Sequence, residues 1–170
     1  MRDTLLQGVI RRPLTESAPE SDDPELAALA ATVRQAAERT LGRSLSIRHV
    51  DAGSCNGCEL EIHALGNAFY DLERFGFRFV ASPRHADVLL VTGPVTHNMR
   101  EALQRTYEAT PGPKWVVASG ACAADGGVFA GSYAVAGGAS SVTPVDLVIR
   151  GCPPTPMQLL QGLLALFSAR

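Results

Sequence analysis

Between Asp87 and Thr92 the chain runs Val88-Leu89-Leu90-Val91, four apolar residues with no polar position among them. A run so short and uniformly apolar reads as a β-strand buried on both faces, which requires a sheet covered by helices above and below. Trp115-Val116-Val117-Ala118 is a second such run, and Leu147-Val148-Ile149 reads as the last strand. Leu45-Ser46-Ile47-Arg48-His49-Val50 alternates as a strand does, and Phe77 to Ala81 supplies one more. Helical patterns fill the intervals. Asp23 and Pro24 read as an N-cap and a first helical residue. Leu26, Leu29, Ala30, Val33 and Ala37 then recur at helical spacing, and Gly42 suits the stop.

After the Cys55 and Cys58 pair, Ile62, Leu65, Phe69 and Leu72 make one apolar helix face ending near Gly76. Met99, Ala102, Leu103 and Tyr107 make the inner side of a helix over Asn98 to Ala109. Pro153-Pro154-Thr155-Pro156 leads into a last helix carrying Leu159, Leu160, Leu163, Leu164 and Phe167. Gly126 to Gly138 is glycine-rich without periodicity and predicts a long surface loop. Strands alternating with helices predict an α/β fold, a doubly wound parallel sheet with helices on both faces.

At 170 residues the chain suffices for one core-forming domain. That domain is expected over residues 23–170, with its core at 45–170. Before it, Pro13 to Asp23 is acidic and rich in Ser and Pro, so residues 1–22 read as an extension and linker, disordered or bound to a partner. Leu5, Leu6, Val9 and Ile10 interleave with Arg2, Arg11 and Arg12, a weakly amphipathic basic pattern compatible with a membrane surface. The Arg11-Arg12 pair is followed by acidic residues rather than an apolar stretch, so an export signal is not expected. A formal net charge of −2 argues against a nucleic-acid partner. No apolar run approaches the roughly 20 residues of a membrane span, so the chain is expected to be soluble or peripheral.

The four cysteines are spaced C-x2-C-x63-C-x29-C, as Cys55, Cys58, Cys122 and Cys152. The first pair follows the first predicted strand, Cys122 the fourth and Cys152 the last. Ligands of open α/β sheets gather beyond the carboxyl ends of strands, near a switch in strand order. Fold and cysteine placement therefore point to one site. Four thiolates can take a structural zinc ion or an iron–sulfur cluster, and the residues alone leave both open. Single ligands arriving from distant loops, and the Cys152-Pro153 step, favour the cluster. Gly53, Gly57, Gly120 and Gly151 would let the backbone come close and aim N–H groups at its sulfides, while Pro153 holds its loop extended.

Four blocks carry a family resemblance: Gly53-Ser54-Cys55-Asn56-Gly57-Cys58-Glu59-Leu60-Glu61-Ile62, Ser82-Pro83-Arg84-His85-Ala86-Asp87, Ser119-Gly120-Ala121-Cys122 and Gly151-Cys152-Pro153-Pro154-Thr155-Pro156. From about Leu45 onward the chain resembles the 20 kDa iron–sulfur subunit of respiratory complex I and the small subunits of [NiFe] hydrogenases. Among these it is most similar to the membrane-bound, energy-converting type that includes formate hydrogenlyase.

The resemblance implies a flavodoxin-like domain with one [4Fe-4S] cluster on Cys55, Cys58, Cys122 and Cys152. It also implies an electron-transfer role with no turnover by the chain alone. Expected partners are a large catalytic subunit ([NiFe] or complex-I-like 49 kDa type), a ferredoxin-like iron–sulfur subunit and membrane-embedded subunits. The chain would then be cytoplasmic, peripheral on the inner face of the cell membrane. Complex I subunits carry adjacent cysteines in the first block, whereas this chain has Cys55-Asn56-Gly57-Cys58, as hydrogenases do. It also stops where uptake-type small subunits add a second cluster domain. Both features are expected of the energy-converting branch. A quinone-reducing complex-I-like subunit is the alternative, and a zinc-stapled or metal-free interaction module is the alternative of another class.

Glu59, directly after the second cysteine, is a candidate for proton transfer; its plainer role is a first-turn carboxylate favoured by the helix N-terminus. Glu61 is expected to face solvent or a partner. His49, His63, His85 and His97 read as packing or surface histidines, since no two have metal-ligand spacing. Gly126-Gly127 matches no phosphate-loop pattern.

Overall fold

The computed structural model describes residues 24–168. The N-terminal extension, the Asp23 cap and the side chains of Ala37 and Phe167 lie outside the described residues. Five strands form one wholly parallel sheet: β1 (Ser46–Asp51), β2 (Arg78–Phe79), β3 (Val88–Thr92), β5 (Trp115–Ser119) and β7 (Leu147–Ile149). Their order across the sheet is β2-β1-β3-β5-β7. This is the flavodoxin-like order, with its switch point between β1 and β3.

The alternation of each strand divides the core in two. Ile47, Val88, Leu90, Trp115 and Val117 belong to one buried cluster. Helices α1 (Pro24–Leu41), α2 (Gly57–Ala64) and α5 (Pro156–Ser168) complete that cluster through Leu26, Val33, Ile62, Leu159, Leu160 and Leu163. Val50, Leu89, Val91, Val116 and Ala118 belong to the other. There they meet Leu103 of α3 (His97–Ala109) and Ala123 of the short α4 (Ala121–Asp125). Fully apolar strands are what a sheet covered on both faces demands. The α1 helix stops as expected at Gly42, whose N–H donates to the Glu38 carbonyl at 2.8 Å.

Two aspartates fix the starts of strands. Asp87, buried just before β3, accepts the Ser46 amide at 2.9 Å and pairs through both oxygens with Arg43. Asp146, just before β7, accepts the Val116 amide at 2.7 Å. Each carboxylate locks its strand to the neighbour at the amino edge, leaving the carboxyl edge free for loops.

The structure corrects three expectations. The helix after the cysteine pair ends at Ala64, not near Gly76; Leu72–Phe75 is a separate 3-10 turn. The side chain of Asn67 accepts the amides of Phe69 and Tyr70 at 2.9 and 3.0 Å, closing a turn that competes with helix. Phe69 is consequently exposed. Ala102 is exposed on α3 rather than on its inner side. Within residues 126–138 lies a strand, β6 (Val135–Gly137), antiparallel to β4 (Val95–Thr96). No helix among the described residues is long and apolar enough to cross a membrane.

Candidate metal centre

The carboxyl edge of the sheet carries the cysteines. As β1 ends, Asp51 Oδ1 accepts the amides of Gly53 and Ser54 at 2.8 and 2.7 Å, turning the chain across the edge. Burial alone would raise the Asp51 pKa, but these two amides and the Ser54 side chain bring it below the ordinary carboxylate value. Ser54 Oγ accepts the Asn56 amide at 3.1 Å, and Asn56, with φ +71°, turns into α2. Cys55 thus precedes α2 and Cys58 lies in its first turn. Cys122 sits in the first turn of α4 after β5. Cys152 follows β7, and its bond to Pro153 is cis.

All four thiols are free and line one small cavity of about 70 Å³. Gly57, Gly151 and Pro153 share its lining, as do Ser54, Gly93 and Ala121, which sequence reasoning missed. Gly120 lies behind it: at φ +91°, a Cβ there would stand 2.7 Å from Cys58 Sγ. Gly53 lies off the cavity and packs against Thr96 instead of approaching the thiols. Gly93 serves the same contact between loops, because any Cβ on it would meet the Ser54 amide nitrogen at 2.5 Å. A glycine between a strand and a Pro-Val-Thr run gives no signal of this in the sequence.

Burial first, then the Glu59 carboxylate and the other three cysteines, push the Cys58 thiol up to about 11. Cys122 is raised by burial and by Cys152 and Cys55, against a hydrogen bond from the Val128 backbone. Neighbouring sulfurs thus add to burial in disfavouring the thiolates of Cys58 and Cys122, and a cationic centre beside them would reverse that. Among the described residues no three His, Cys, Asp or Glu side chains are arranged to hold a single metal ion. The four cysteines share the lining of one cavity, and a set of four thiol donors is chemically suited to an iron–sulfur cluster or to a zinc ion.

Glu59 is buried in the first turn of α2, and neither oxygen has a hydrogen-bond partner. Its Oε1 stands 3.6 Å from His49 Nε2, which is also 2.8 Å from Thr92 Oγ1. Burial lowers the His49 pKa, although Glu59 and Asp51 pull it upward. His63 and His85 are exposed and apart from the thiol cavity.

A parallel sheet in flavodoxin-like order, with four thiols at its carboxyl edge, defines a class of α/β domains with a candidate metal centre near the switch point. Within that class, the chain belongs to the family described as NADH ubiquinone oxidoreductase, 20 Kd subunit, whose model matches residues 55–166. It is 44% identical over 144 residues to formate hydrogenlyase subunit 7 of Escherichia coli (strain K12), covering 85% of this chain and 55% of that protein. The chain thus spans just over half of that relative. It is 49% identical over 124 residues to the probable membrane-bound hydrogenase subunit mbhJ of Pyrococcus furiosus, covering 73% of this chain and 74% of the relative. In three dimensions it resembles a chain in the structure of the membrane-bound sulfane sulfur reductase, an archaeal respiratory membrane complex. The TM-score is 0.66 at 35% identity, over 81% of this chain and 74% of the other.

Proposed function

We propose that this chain holds one [4Fe-4S] cluster on Cys55, Cys58, Cys122 and Cys152 and relays electrons within a membrane-associated complex of the [NiFe]-hydrogenase or formate hydrogenlyase type. The observation that carries this reading is the meeting of four free thiols, from three separate sheet-edge loops, in one cavity beside the switch point. Such a cluster, when bound, supplies one-electron chemistry. The chain's own residues do the rest. Gly57, Gly151 and Pro153 keep the walls low, and Gly120 leaves room for the Cys58 sulfur. Glu59 holds a proton site at the buried side, with His49 as the next group along. A large catalytic subunit would cover the exposed Cys55 and Cys152, with a ferredoxin-like subunit and membrane-embedded subunits completing the assembly. The chain would sit in the cytoplasm, peripheral on the inner face of the cell membrane.

The family's description favours a second reading, in which the same chain serves quinone reduction in a complex-I-like enzyme. The Cys55-Asn56-Gly57-Cys58 spacing supports the hydrogenase type instead. Anaerobic purification with iron and sulfide analysis, then EPR after dithionite reduction, tests the cluster. One [4Fe-4S] signal per chain, lost in Cys122→Ala, is expected; stoichiometric zinc without iron would sink the electron-transfer role. Hydrogen evolution against quinone reduction by the co-purified complex separates the two redox readings.

A further inference from the structure

Beside β1 the structure has a second, larger cavity, of about 420 Å³. Its origin is the brevity of β2. That strand pairs with β1 only at Ser46↔Arg78 and Ile47↔Phe79, and after the Val80 amide donates to the Ile47 carbonyl the chain turns away. On its other flank β1 stays paired with β3 as far as Asp51. The β2 flank of β1 is therefore uncovered at Arg48 and His49. Ile62, Phe79, Val80 and Ala81 give this cavity apolar walls.

The polar part of the lining comprises Arg48, His49 and His63; no carboxylate belongs to it, although Glu59 Oε1 stands 3.6 Å from His49 Nε2. The Nε of Arg48 is buried and, among the described residues, has no hydrogen-bond acceptor. A buried N–H of a charged group without an acceptor is costly, and native structures seldom leave one so without a reason. Guanidinium groups are matched best by planar oxyanions, which accept two parallel N–H bonds. The volume lies in the range of small-molecule sites, which combine apolar walls with a few convergent polar groups.

We infer that this cavity binds a small organic anion, a carboxylate or comparable oxyanion on an apolar body, through Arg48 with His63 at the mouth and the body against Ile62 and Phe79. Gly66 forms part of the wall, and a Cβ there would meet nothing nearer than the His63 carbonyl at 3.6 Å. A larger side chain at Gly66 thus fills the cavity without backbone strain. The site is independent of whether Cys55 and its companions hold a cluster.

The test is calorimetric titration of the full-length chain with sodium benzoate at fixed ionic strength, with benzamide as the neutral counterpart. Saturable one-to-one benzoate binding is expected, weakened about tenfold or more in Arg48→Met and in Gly66→Leu, with benzamide weaker than benzoate by a similar factor. No saturable benzoate heat, an Arg48→Met affinity within about twofold of the parent, or equal binding of benzamide would each overturn the assignment. Should Gly66→Leu fail to fold, NMR of the parent decides. The Arg48 Nε–H resonance is expected to move on benzoate addition; a stationary resonance counts against the site.

Discussion

The carboxylate of Glu59 and the imidazole of His49 face each other at 3.6 Å, and neither Glu59 oxygen accepts a hydrogen bond. Glu59 is thus a buried carboxyl group that no donor among the described residues holds. It is also the next contributor, after burial, to the raised Cys58 pKa.

Glu59→Gln removes that negative charge while keeping the shape. The Cys58 thiol, pushed up to about 11 in the parent, should then ionise at lower pH, though still above its ordinary value because burial persists. The pH dependence of alkylation at Cys58 in metal-free protein measures this. An unchanged profile would remove Glu59 from the field at the thiols.

Gly120→Ala and Gly57→Ala should part company. At Gly120 the added carbon would lie 2.7 Å from Cys58 Sγ in a backbone region side chains rarely adopt; at Gly57 it would lie 3.5 Å from Cys55 Sγ, an ordinary contact. Iron bound per chain after anaerobic reconstitution is expected to fall strongly in the first and stay near parental in the second.

Asp87→Ala strips the Ser46 amide and Arg43 of their shared acceptor. Arg43 is half exposed, so the Coulomb part is discounted, and the loss expected is about 2 kcal/mol, mainly from the buried charge-assisted amide bond. Urea unfolding should show a lower midpoint with an unchanged slope.

Asp51 gives the cysteine loop a defined acid limit. Its folded pKa lies below the ordinary value, so its contribution is present above the unfolded pKa and is lost as pH falls through the folded one. Hydrogen exchange at the Gly53 and Ser54 amides should accelerate relative to the rest of the chain in that acid window. In Asp51→Ala the two amides should exchange fast at every pH.

The sheet was legible because Val88–Val91 and Trp115–Ala118 have no polar position to confuse their reading, and the cysteines lay where strand ends were expected. What escaped depends on contacts distant in sequence. Val95–Thr96 meets Val135–Gly137 across some forty residues, and two such short segments, one containing glycine, show no alternation. Asn67 ended a helix pattern by bonding its own neighbours' amides, an event of geometry rather than of periodicity. Asp51 and Gly93 shape the thiol loop through side-chain and steric contacts that no spacing rule announces.

Because Cys55 and Cys58, Cys122 and Cys152 follow β1, β5 and β7, which meet in one sheet with β3 between the first two, an unfolded chain does not hold the four thiols together. The apolar sheet, secured at its opposite edge by Asp87 and Asp146, is built from core contacts that include none of the four cysteines, so the fold brings the thiols together and not the reverse.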